Sequence, residues 1–183
     1  MPKMTFDEYM AWENEQPDRH EFYRGEIYAM SGVRFANSRV TGNLFKRIDD
    51  HIDGTECTLF VENFKLRLAD EACFYPDLMV TCSQKFSMSD LTVTEPLLII
   101  EVVSPSTERY DRGDKFTYYR SFPTLREYAL IDPDKRSVEV HTLTATGAWE
   151  RTDQTGRAML GLASIDLEIP LTQVFKGVTI DAA

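Results

Sequence analysis

The chain has 183 residues, 43% of them hydrophobic and 27% charged, proportions that suit one soluble α/β domain with a sizeable core. No apolar run approaches the ~18 residues that a membrane span needs, and Met1-Pro2-Lys3-Met4-Thr5-Phe6-Asp7 has no signal-peptide pattern. A formal net charge of −10 counts against a broadly basic DNA-binding surface, because duplex binding rests on neutralising phosphates with Lys and Arg. Three cysteines, Cys57, Cys73 and Cys82, make an odd count with no C-x-x-C. Neither a disulfide framework nor a zinc knuckle is indicated, and a reducing, cytoplasmic setting fits best.

Thr5-Phe6-Asp7-Glu8 reads as a capping box opening a short helix that runs to about Glu15, before Pro17. Two β-type runs around Arg24-Gly25, His20 to Tyr23 and Glu26 to Met30, suggest a hairpin. From Asn37 to Ile52, the residues Val40, Leu44, Ile48 and Ile52 recur every four positions as the buried stripe of an amphipathic helix. Gly42 in its middle lowers helix propensity, which close packing against a sheet would explain. Asp53-Gly54 ends it.

Strand signals follow at Thr58 to Leu68, at Asp77 to Thr81 and at Pro96 to Val103, the last a continuous apolar run of the kind a buried central strand shows. Ser83 to Glu95 is polar and reads as a surface excursion. Ser104-Pro105-Ser106-Thr107 is a turn supplying an N-cap hydroxyl to a helix from about Glu108 to Ser121. Glu127 to Ile131, the turn Asp132-Pro133-Asp134-Lys135 and Ser137 to Leu143 form a second hairpin. A short strand begins at Trp149, Ser164 to Ile169 alternates as another, and Leu171, Val174 and Phe175 look like a packed terminal turn.

The residues that carry chemistry lie between Tyr75 and Tyr119. Hydrolysing a phosphodiester needs a divalent metal on hard oxygen ligands, an activated water and a cation facing the developing charge. Asp77 and Glu101 could hold the metal if their strands are neighbours, with the Val102 carbonyl as a third ligand. Mg²⁺ or Mn²⁺ suits such a set. Lys115 would orient the water or stabilise charge, and Asp111, Lys115 and Tyr119 share one helix face at i, i+4, i+8. Each has a plainer alternative. Pro-Asp pairs are common in turns, as Pro133-Asp134 illustrates, whereas Pro76-Asp77 leads straight into Leu78-Met79-Val80. Asp111 and Lys115 alone would be a solvated ion pair. Glu101 is the stronger signal, since a carboxylate inside Leu97-Leu98-Ile99-Ile100 and Val102-Val103 is costly to bury unpaired. Cations near it, Arg109, Arg112, Lys115, Arg120 and Arg126, are diluted by Glu108, Asp111 and Asp114. The scattered His20, His51 and His141 share no metal-ligand spacing, and the tyrosines and phenylalanines read as core.

Pro76-Asp77, Ile100-Glu101-Val102-Val103-Ser104-Pro105-Ser106-Thr107, Asp111, Lys115, Tyr119 and Glu127-Tyr128 together resemble the Uma-two endonuclease family of the PD-(D/E)XK, restriction-endonuclease-like superfamily. The likeness extends to Glu21-Phe22-Tyr23-Arg24-Gly25-Glu26 and covers nearly the whole chain. It implies that Asp77 and Glu101 bind Mg²⁺ and that Glu21 plays an upstream acidic role. The superfamily's lysine, two residues after the second acid, falls on Val103, so Lys115 is read as its migrated replacement. Asn37 stands where relatives often have histidine. The expected architecture is an α/β, restriction-endonuclease-like core in one domain over residues 1–183. A central mixed β-sheet is flanked by the Asn37–Ile52 and Glu108–Ser121 helices, with extra antiparallel strands at the C-terminus. The expected activity is Mg²⁺-dependent cleavage of DNA, with paired sites in a homodimer for cutting a duplex. The alternatives are a catalytically degenerate member acting as a binding or interaction module, and a hydrolase of smaller phosphoesters.

Overall fold

The computed structural model describes residues 3–30 and 32–179. The capping box forms as expected over α1 (Phe6–Glu13): Thr5 N donates to Glu8 Oε2 at 2.8 Å and Glu8 N to Thr5 Oγ1 at 3.3 Å. Strands β1 (His20–Tyr23) and β2 (Glu26–Ala29) form the first hairpin. Arg24 and Gly25 between them both take positive φ, +47° and +88°, as a two-residue turn matched to strand twist requires. In α2 (Phe35–Ile52) the predicted stripe Val40, Leu44, Ile48 and Ile52 is buried. Gly42 corrects the expectation of close packing, since a Cβ there would meet nothing within 4 Å.

The run from Thr58 to Leu68 is two strands, β3 (Thr58–Val61) and β4 (Lys65–Leu68), because the chain turns at Glu62 with φ +48°. Next come β5 (Ala72–Phe74), β6 (Leu78–Thr81), β7 (Thr92–Val93) and β8 (Leu98–Val102). The polar segment expected to be pure loop thus contributes β7, with Val93 buried. The helix after β8 is not uniform. It comprises α3 (Glu108–Tyr110), a π turn (Asp111–Lys115) and α4 (Phe116–Tyr119), and Thr107 makes no side-chain cap. Strands β9 (Glu127–Asp132), β10 (Ser137–Leu143) and β11 (Trp149–Asp153) follow. Beyond them lie β12 (Met159–Leu162), which the sequence did not suggest, then a 3-10 turn (Ala163–Ile165), β13 (Leu167–Pro170) and α5 (Leu171–Val174). Asp166 at φ +51° is what breaks the run predicted from Ser164 to Ile169.

The central sheet has the order β11-β10-β9-β8-β6-β3, and β8 and β9 run parallel while the other neighbours are antiparallel. A parallel pair needs a crossover, and the α3–α4 segment supplies it. Beside this sheet lie a five-stranded one, β2-β1-β5-β4-β7, and the β12–β13 pair. On one face of the central sheet Val40, Leu44 and Ile48 of α2 pack on Leu78, Val80, Leu98, Ile100, Ala129 and Ile131. On the other, Tyr119, Phe122 and Leu125 pack on Met79, Ile99, Tyr128 and Leu130.

Cys57 and Cys82 form a disulfide, which corrects the expectation of none. Antiparallel register pairs Thr58 with Thr81, and the cysteines are the next step outward, a proximity that a spacing of 25 residues does not reveal. Cys73 is free and buried. No helix of the described residues is long and apolar enough to cross a membrane.

Glu127, buried at the start of β9, anchors the turn after β12. Its carboxylate accepts from Ala163 N at 3.1 Å, Ser164 N at 3.0 Å and Ser164 Oγ at 2.7 Å. Glu127→Ala leaves those part-buried donors without their carboxylate and is expected to lower stability by about 1–3 kcal/mol. The measurement is a shift of the urea midpoint at unchanged m-value.

Candidate metal and catalytic site

Strand alternation decides where Glu101 points. Leu98, Ile100 and Val102 of β8 belong to the core under α2, whereas Ile99 and Val103 belong to the core around Tyr119 and Tyr128. Period two puts Glu101 on the second face, under the crossover helix. The β6–β8 register pairs Leu78 with Ile100, so one step outward Asp77 lies opposite Glu101. Val102 N donates to Asp77 Oδ2 at 2.7 Å and fixes it there. Glu21 arrives from the five-stranded sheet, where β1 pairs with β5. Tyr75 N, just past β5, donates to Glu21 Oε1 at 3.3 Å. Tyr75-Pro76 therefore carries the chain from Glu21's sheet to Asp77's.

Lys115 meets these acids from the π turn, a widening of the helix that often occurs at functional sites. Its Nζ lies 2.9 Å from Glu101 Oε1, 3.0 Å from Glu21 Oε1 and 3.7 Å from Asp111 Oδ1. Tyr119 donates its hydroxyl to the same Glu101 oxygen at 2.7 Å, leaving Oε2 for another partner. Tyr128 donates to the Asp111 backbone carbonyl at 3.0 Å and ties the π turn to β9. Every side chain predicted for the site is thus brought together. The carbonyl of Val102, expected as a ligand, accepts from Asn37 Nδ2 at 2.6 Å, which leaves it one lone pair. The three histidines are absent from the cavity lining.

Four carboxyl groups around one ammonium set the electrostatics. Burial and then the neighbouring Glu101 raise Asp77 well above the usual carboxylate range. Burial raises Glu21 too, against a pull from Lys115. Burial works to lower Lys115, but Glu101, Glu21 and Asp111 outweigh it and hold the amine charged. The donors on Asp77 and Glu101 are hard oxygens of the kind that Mg²⁺ and Mn²⁺ take. Asn37 Oδ1 beside them is buried without a hydrogen-bond partner among the described residues, as a group awaiting a donor such as a bound water would be. No cage of three or more acidic, histidine or cysteine side chains is preformed among the described residues, consistent with Lys115 holding the third acid.

These groups floor a cavity of about 730 Å³. Its walls include Tyr23, Tyr28, Tyr110 and Tyr118. The reading of the tyrosines as core holds for Tyr9, Tyr75, Tyr119 and Tyr128 and is corrected for Tyr28, which is 44% exposed. A signal was present in the alternation: Glu21 and Tyr23 share a strand face, and Tyr28 lies directly across from Glu21.

Burial and the charge of Glu101 push Asp111 up to about 7. Between roughly pH 4 and 7 the folded protein therefore keeps a proton that the unfolded chain releases. The stability this gives is present at low pH and lost as pH rises through 7. Asp111→Asn, neutral at every pH, is expected to be more stable than the wild type near pH 8, on the order of 2–4 kcal/mol. That difference should shrink toward zero near pH 4, as read from urea midpoints across the range.

A family model described as "Putative restriction endonuclease" (Uma2) matches residues 6–173. Two Synechocystis proteins described as uncharacterized are similar along most of their length. One is 32% identical over 96% of this chain and 93% of its own, the other 35% identical over 84% and 88%. A crystal structure from Anabaena variabilis, described as a putative nuclease belonging to DUF820, superposes with a TM-score of 0.79 at 18% identity. The match covers 94% of this chain and 97% of that one, so the two share a fold, the mixed α/β architecture expected from the motif. With the family model spanning all but the ends of the sequence, the chain belongs to the Uma2 family.

Proposed function

We propose that this protein hydrolyses DNA phosphodiester bonds with Mg²⁺ or Mn²⁺ held between Asp77 and Glu101. The observation that carries this reading is the pairing of those two carboxylates at one strand edge, beside a buried ammonium 2.9 Å from Glu101. Two acids so placed are tolerable when a divalent cation compensates them. Asp77 and Glu101 Oε2 would hold the ion, with the remaining lone pair of the Val102 carbonyl as a further ligand. When bound, the ion supplies Lewis-acid polarisation of the phosphoryl group and a water of lowered pKa. Lys115 faces the charge that develops on the phosphorane, or orients the attacking water. Glu21 and Asp111 hold the amine in place, and Tyr119 holds Glu101 so that one oxygen serves Lys115.

A second reading, a non-catalytic binding module, is favoured by the same contacts: Lys115 already compensates Glu101 and Glu21. Metal binding separates the two. Calorimetric titration of Mn²⁺ into the wild type is expected to show one site, lost in Glu101→Gln. Cleavage of plasmid or single-stranded circular DNA should require Mg²⁺ or Mn²⁺ and vanish in Asp77→Ala. Lys115→Met should lower kcat by about 10²–10³. Equal nicking by wild type and Asp77→Ala, or no divalent-ion binding by the wild type, sinks the hydrolase.

A further inference from the structure

The cavity above the carboxylates points to a more particular substrate. Resting on the reading just given, we propose that the site takes an unpaired DNA strand, gripped by its bases, and not an intact duplex gripped by its phosphates. Depth is the first reason. Glu21, Glu101, Asp111 and Lys115 are each at most 6% exposed, at the floor of the 730 Å³ space. A duplex has to bend or open to present a phosphate at such depth, whereas a flexible single strand does not.

Charge is the second reason. Of the residues lining the cavity, five are acidic and two, Arg34 and Lys115, are basic. Both bases are engaged, Arg34 with Asp134 at 2.7 Å and Lys115 with its carboxylates. Among these described lining residues no track of free cations is left to follow a phosphate backbone, the main source of duplex affinity.

The walls supply what the charge does not. Tyr23 and Tyr28 come from the hairpin side, Tyr110 and Tyr118 from the helix side. Tyr23 and Tyr118 stack on each other at 3.9 Å between centroids and Phe74 stacks on Tyr118 at 5.9 Å, so the base-binding role falls on Tyr28 and Tyr110. Tyr28, on the edge strand β2 and across from Glu21, is 44% exposed. The Tyr110 ring lies 5.9 Å from Lys115 Nζ. Met30 and Val33, 41% and 60% exposed, extend this apolar surface toward the mouth. Aromatic faces bind unpaired bases regardless of sequence, because every base has a π-face, while bases stacked in a duplex cannot reach them.

The test is equilibrium binding by fluorescence anisotropy in Ca²⁺, using a labelled 12-nucleotide DNA, its blunt duplex and an RNA of the same sequence. The single strand is expected to bind at least about tenfold more tightly than the duplex. Tyr28→Ala should weaken it about tenfold, with Tyr28→Phe restoring most of the loss, and Tyr110→Leu should act like Tyr28→Ala. Thermal melts establish that the variants fold. Tighter binding of the duplex or of the RNA, or unchanged binding by both tyrosine variants, overturns the proposal. Single-strand binding without any metal-dependent cleavage would leave this inference standing and refute the hydrolase. Metal-dependent cleavage of duplex DNA unaffected by Tyr28→Ala would do the reverse.

Discussion

An ammonium group buried among carboxylates, Lys115 between Glu21, Glu101 and Asp111, joins parts of this protein that share no strand pairing with one another. Glu21 belongs to the five-stranded sheet, Glu101 to the central sheet, and Asp111 and Lys115 to the crossover helix between β8 and β9. A lysine so deeply placed is affordable only because its charge is met on several sides. Widening of the helix at Asp111–Lys115, with Tyr128 bonded to the Asp111 carbonyl, gives the side chain its place over Glu101. The fold and the proposed chemistry therefore share one set of contacts, and a change at Lys115 would touch both.

The balance is incomplete without a further positive charge. Four acids, counting Asp77, surround one base. Burial pushes Asp77, Asp111 and Glu21 upward, so protons fill the deficit when nothing else does. A divalent cation between Asp77 and Glu101 is the other way to fill it. The protein-wide charge of −10 extends the same theme outward: on the proposed reading the site draws cations, and its aromatic walls rather than its electrostatics hold the polyanion.

Much of this was legible along the chain. Glu101 stood out because a carboxylate inside an apolar strand has to be answered by something, and Lys115 and Tyr119 answer it at 2.9 and 2.7 Å. The capping box at Thr5, the α2 stripe and both hairpins followed from local rules and formed as read. Expectations failed where pairing depended on distant residues. The break at Glu62 sends two halves of one apparent strand into different sheets. Gly42 has open space where packing was expected. The disulfide joins cysteines that only the β3–β6 register brings side by side.

Periodicity and residue chemistry by themselves determined which side chains had to be buried and which of those were too polar to be buried alone. That covers Glu101, whereas Asp77 and the helix face of Asp111, Lys115 and Tyr119 were candidates by spacing and by the family resemblance. Tertiary structure decided the rest, because it depends on register between segments far apart in sequence. Register set Glu21 against Lys115 and turned Asn37 onto the Val102 carbonyl. It also set four tyrosines around the cavity, two of them, Tyr23 and Tyr118, still packed against the core. Alternation fixes the face on which a residue lies, but only the pairing of strands and the packing of helices fixes what that face meets.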